Sequence, residues 1–210
     1  MSYAYGLHLI NNGIGTGFDA SDVVNSLLSM QLPDGGWAVI GEYGDVDVTA
    51  MVVSALAPQY PYDISVQYAV DSAVELLSAK QQESGGFKSM GVENPESAAQ
   101  VITALSALGI DCQYDGRFIK NGRTPIDALL DYRLDDGSFC HTAGADSNDS
   151  ATVQAFYSLI AYRRMLLGQT PLLVLDKHYS PAPETPDTPD MPDIPSVPDT
   201  PAVQGGTSSQ

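Results

Sequence analysis

The chain has 210 residues, of which 26 are acidic and nine basic, giving a formal charge of −17. That charge excludes a nucleic-acid partner and an anionic membrane surface, since either would repel the chain. Two cysteines are too few for a disulfide-built scaffold, so an apolar core has to hold the fold. No apolar run nears the roughly 20 residues that span a bilayer, so no membrane span is expected.

In chain order, Met1 leads into Ser2-Tyr3-Ala4-Tyr5-Gly6 without a basic stretch or a long apolar run, so no signal peptide is expected there. Ala4 to Leu9 reads as the end of a helix. An amphipathic segment then closes on Leu27-Leu28, followed by a glycine turn, Gly35-Gly36-Trp37, and a small-residue helix from Asp47 to Leu56. The same order recurs twice. Val66, Ala69, Val70, Ala73, Val74 and Leu77 keep 3/4 spacing up to Leu76-Leu77, Gly85-Gly86-Phe87 turns, and Glu96 to Leu105 aligns with the first helix. Leu129-Leu130, Gly137-Ser138-Phe139 and Ser150 to Leu159 form the third copy.

The three aromatics stand 50 and then 52 residues apart, and a period of that size marks a repeat architecture. Asp63 and Asn148 suit helix starts, and Asn94-Pro95 and Thr124-Pro125 place a capping side chain before a proline. Stops fall at Pro58, Gly109 and Gly168. The segment Ser97 to Leu108 is small or apolar on nearly every side and should be buried all round. Two helix types imply two layers, small-residue helices inside and amphipathic ones outside.

After about Ser180 the composition changes. Prolines fall at 183, 186, 189, 192, 195, 198 and 201, the three-residue period of polyproline II. Glu184, Asp187, Asp190, Asp193 and Asp199 add a row of like charge. With those five set aside, 21 acidic and nine basic residues leave the body at −12. The expected organisation is a helical domain over 1–180 and a stiff, disordered Pro/Asp-rich linker over 181–210.

Gln31-Leu-Pro-Asp-Gly35-Gly-Trp37 fits the pattern Q-x-x-x-G-x-W, and Gln81-Gln-Glu-Ser-Gly85-Gly-Phe87 fits its aromatic variant, while the third copy carries Arg133 in place of the glutamine. On these motifs the chain resembles the prenyltransferase and squalene-cyclase repeat family over about residues 4 to 168. The resemblance implies an all-α fold, an α/α toroid of hairpins around a central cavity. Three hairpins plus an N-terminal helix stub make a partial toroid, its C-terminal half, and imply a fragment. A half ring leaves an apolar flank open, so the missing N-terminal half of the toroid or self-association is expected as a partner.

Asp45-Val46-Asp47-Val48-Thr49-Ala50 is similar to the D-x-D-D-T-A acid motif of squalene-hopene-type cyclases, with Asp47 at the position of the protonating acid and Val48 in place of the next aspartate. The resemblance makes Asp47 the candidate catalytic residue. As an N-terminal helix residue, Asp47 equally suits the free N–H groups and the macrodipole there, as do its repeat mates Glu96 and Ser150. Trp37, Phe87 and Phe139, with Tyr43 and His141, are candidates to line a ligand cavity alongside Asp47, Glu96 and Ser150. The competing reading has each repeat aromatic plugging the gap inside its own hairpin.

The zinc set of the family's protein prenyltransferases needs a Cys two residues after the aspartate. Thr49, Ala98 and Thr152 stand at that position, and Cys140-His141 supplies only two ligands, so no metal and no cofactor is expected. Asp135, Asp136, Asp146 and Asp149 lack the calcium-loop spacing. Cys112 and Cys140 should be free thiols, at opposite ends of their helices.

The expected function is a non-catalytic ligand- or partner-binding module of an exported or cell-surface bacterial protein, the linker leading to another domain or a wall anchor. Two alternatives accompany it: a terpenoid cyclase-type enzyme using Asp47 as general acid, and a corrinoid binder, because intrinsic factor and transcobalamin share the toroid. The ligand class expected is a small apolar molecule or a protein partner.

Overall fold

The computed structural model describes residues 2–14 and 17–175. Their helices are α1 (Ser2–Asn11), α2 (Ala20–Ser29), α3 (Val46–Leu56), α4 (Ile64–Lys80), α5 (Pro95–Ala107), α6 (Pro125–Leu130) and α7 (Asp149–Leu166). The fold is all-α apart from a small hairpin, β1 (Lys88–Ser89) against β2 (Val92–Glu93). The Pro/Asp segment over 181–210 lies outside the described residues.

Helix starts follow local chemistry. Asp19, Asp45, Asp63, Asn94, Thr124 and Asn148 cap α2 to α7 from extended backbone, each accepting from N–H groups of the first turn. The cap of α3 is therefore Asp45, and Asp47 lies one turn position inside. Pro95 and Pro125 occupy the first turns of their helices, where a missing N–H costs nothing.

All three glycine turns close alike. Leu32 N–H donates to Gly36 O, Gln82 N–H to Gly86 O and Leu134 N–H to Ser138 O, while the N–H groups of Gly35, Gly85 and Gly137 donate back across the turn. Those three glycines have φ between +86° and +89°, the left-handed region that only glycine enters freely. At Gly85 close approach adds to the demand, because a Cβ there would meet Thr124 O at 2.5 Å.

Packing sorts the helices into two rows. α3 lies between α1 and α5, and α5 between α3 and α7, so α1, α3, α5 and α7 form one row. α4 packs on both α2 and α3, α6 packs on α5, and the 3-10 turn Gly116–Phe118 packs on α4, giving the second row. From Ser97 to Ser106 every residue of α5 except Gln100 is buried, as its unbroken run of small and apolar residues requires. Cys112 and Cys140 are both free and buried.

Two features depart from a uniform repeat. The third outer helix, α6, is only six residues long, because Asn121 and Gly122 take positive φ in a tight turn and no helix starts before Thr124. The β1–β2 hairpin sits between the second glycine turn and α5, turning on Met90 and Gly91 at φ of 51° and 84°.

Candidate functional site

The first row presents one face that neither row covers. Equal spacing builds it: Asp47, Met51 and Ser54 on α3, Glu96, Gln100 and Thr103 on α5, and Ser150, Gln154 and Tyr157 on α7 each follow i, i+4, i+7, which keeps side chains on one side of a helix. Tyr5 and His8 on α1, with Asn12 just after it, supply the same face. A cavity of about 670 Å³ lies there, lined among others by Tyr5, His8, Met51, Gln100, Tyr157 and Leu173. Its contributors span both ends of the row, so the row curves and Tyr5 and Tyr157 share one hollow.

The cavity has a floor. After α7 the chain turns at Gly168 and runs back as a strap through Leu175, held by Arg164 Nε donating to Thr170 O at 2.8 Å. Asn12 Nδ2 donates to Leu173 O at 2.9 Å, and Leu175 N–H donates to Asn12 Oδ1 at 2.6 Å. Leu172, Leu173 and Leu175 thus close the lower end with apolar surface. Burial pushes the His8 imidazole below its ordinary value and the Tyr157 phenol above it, so both are neutral near pH 7. Gln100 Nε2 donates to Gln154 Oε1 at 2.9 Å and fixes the middle of the wall.

One helical turn before Met51 and Gln100 the row is acidic. Asp45 caps α3 by accepting from Val48 N–H at 3.0 Å, whereas Asp47 Oδ1 and Glu96 Oε2 are buried oxygens with no hydrogen-bond partner among the described residues. Burial is the main cause that raises the Asp47 carboxyl above the usual range. The charges of Asp45 and Glu96 push the same way, while the Ser97 and Ser89 hydroxyls pull it down. His141 Nδ1 lies 2.9 Å from Glu96 Oε1.

None of the other five candidate cavity residues lines the hollow, and for Trp37, Phe87 and Phe139 the competing reading, a plug inside each hairpin, fits the structure. Trp37, Phe87 and Phe139 belong to the core, away from the hollow. Trp37 Nε1 donates to Leu27 O at 2.7 Å inside its own hairpin, and its N–H donates to Thr49 Oγ1 at 3.0 Å. Phe139 N–H donates to Thr152 Oγ1 at 2.9 Å, the equivalent bond of the third repeat. Tyr43 is 74% exposed on a loop beside Pro33 and Glu42. Ser150 is exposed and accepts from Gln154 Nε2 at 3.1 Å.

Among the expected residues the fold brings Glu96 beside His141 and within reach of the Asp47 charge, one helical turn before the cavity wall at Gln100 and Met51. Tyr5, His8, Met51, Gln100, Tyr157 and the strap leucines were missed, although the 4/3 spacing from Asp47 and Glu96 would have found three positions of the wall, Met51, Ser54 and Gln100. Among the described residues no three His, Cys, Asp or Glu side chains are grouped so as to hold a metal ion. No helix there is long and apolar enough to cross a membrane. No protein-family model matches the chain, and no curated protein matches it.

Proposed function

We propose that the chain is a non-catalytic binding module, a partial α/α toroid akin to the prenyltransferase and squalene-cyclase repeat proteins, whose concave face takes a small, elongated, largely apolar ligand. The apolar hollow of about 670 Å³ walled by all four first-row helices and floored by the strap carries this reading. Its size falls within the range of small-molecule sites, and its sparse polar groups, His8, Gln100 and the two tyrosines, would orient the occupant. A Pro/Asp-rich segment after the helices supports a place at the cell surface or outside the cell, as a spacer to another domain.

Nile red, neutral and therefore indifferent to the acidic surface, tests the reading. Its emission should rise and saturate at one dye per chain. Met51→Arg, which places a charge in the wall, should weaken binding at least tenfold. Unsaturable binding, or affinity unchanged in Met51→Arg, overturns the proposal.

One observation favours a second reading, acid catalysis of the cyclase type. The Asp47 carboxyl is partly buried, lacks a partner for Oδ1, is shifted toward its protonated form and stands one helical turn before Met51 of the cavity wall. Incubation with a linear polyprene, followed by mass spectrometry, should then show a cyclised product that Asp47→Asn abolishes. No product from the native chain removes this reading and leaves the binding proposal standing.

A further inference from the structure

The repeat places the same positions in register after each cap. Five, eight and twelve residues beyond Asp45, Asn94 and Asn148 stand Ala50, Val53 and Ala57 in the first copy, Ala99, Ile102 and Ser106 in the second, and Val153, Phe156 and Ile160 in the third. In the first two copies these positions are at most 8% exposed. In α7 they are 66%, 50% and 49% exposed, and each carries a larger apolar side chain than its mates. A terminal repeat that faces water is expected to turn polar at such positions. This one does the opposite, and Leu167 extends the stripe at 60% exposure.

The far end of the row shows the matching half. Beside α1 and α2 lies an open apolar groove of about 330 Å³, lined by Tyr3, Gly6, Ile10, Ile14, Phe18 and Val23. Gly6 sits inside α1, where glycine is less favourable than alanine. Among the described residues nothing lies within 4 Å of where its Cβ would be, so no packing seen there requires the missing side chain. It deepens the groove instead. Charges also complement: Arg163 ends the α7 stripe without an ion pair among the described residues, while Asp19 and Asp22 stand beside the groove.

We infer that a second copy of this chain covers these faces, the α7 stripe of one molecule entering the α1–α2 groove of the next. The contact continues the row α1, α3, α5, α7 across a molecular boundary, using the face that each inner helix already offers its successor. It is heterologous, each molecule giving one face and receiving the other. It does not depend on what the concave cavity binds.

Sedimentation velocity on the full 210-residue chain tests this, with two double variants at residues 44% to 76% exposed, whose circular dichroism must match the parent before either is used, because Phe156 also packs edge-on against Phe139. The native chain should associate as its concentration rises. Phe156→Glu/Ile160→Glu, lacking the stripe, and Tyr3→Glu/Phe18→Glu, lacking the groove, should each be monomeric, with association weakened at least tenfold. Mixed together they should give a 1:1 dimer that grows no further, because one intact stripe meets one intact groove. A monomeric native chain, either variant associating alone as the parent does, or a mixture that stays monomeric overturns the inference. Both variants should keep Nile red binding, so failure here is distinguishable from failure of the cavity reading.

Discussion

Gln81 shows how one side chain sets the distance between repeats. Its Nε2 donates to Gly85 O at 2.9 Å within its own turn and to Phe118 O at 2.9 Å in the neighbouring outer element. Gln31 does the same with Gly35 O and Ala69 O, at 2.8 and 2.7 Å. Gln81→Ala would leave two carbonyls unpaired at a buried position and should cost about 2–3 kcal/mol in urea unfolding. Gln81→Glu should be no better, because the carboxylate cannot donate to either oxygen. Asp47 makes the opposite contribution. Its carboxyl is raised in the folded state, so over the window between its unfolded and folded values the folded chain keeps a proton that the unfolded chain has lost. Stability therefore falls as pH rises through that window. Asp47→Asn should unfold at higher urea than the parent at pH 7, the gap closing as pH drops below the ordinary aspartate value. A gap that persists at low pH would show that something other than the buried charge is at work.

Helices α5 and α6 mark what the sequence discloses about an element and what it withholds. Asn94-Pro95 and Thr124-Pro125 named both starts because capping is local chemistry, settled within four residues. Thr124 completes a capping box, its Oγ1 accepting from Asp127 N–H while its own N–H donates to Asp127 Oδ2 at 2.9 Å. Thr124→Ala should destabilise by about 1 kcal/mol, and Thr124→Ser should recover most of it. The shortness of α6 was not legible, because it depends on Asn121 entering the left-handed region beside Gly122. The cavity wall was half legible. Asp47 and Glu96 stood out as charges on otherwise apolar helices, but Met51, Gln100 and Tyr157 read as ordinary helix residues until curvature brought four helices around one hollow. The repeat aromatics were legible as plugs of their own hairpins, the reading their place in the core fits.

Among the described residues, two rows of helices bury Ala, Val and Leu between them and leave apolar surfaces open, among them the concave cavity, the α7 stripe and the α1–α2 groove. They stand on a body of charge −12, which disfavours promiscuous contact between copies and leaves association to faces that match. The strap ties the ends of this arrangement together. Asn12 and Leu173 are 161 residues apart in sequence, so their bond closes nearly the entire described chain into a loop. Such a closure is entropically late, formed only once the helices between have settled, and it should be the first to let go. In hydrogen exchange the Leu175 amide should therefore lose protection well before the amides of α5. Asn12→Ala should accelerate that exchange while leaving α5 unchanged, making the cavity floor a latch that breathes on its own timescale.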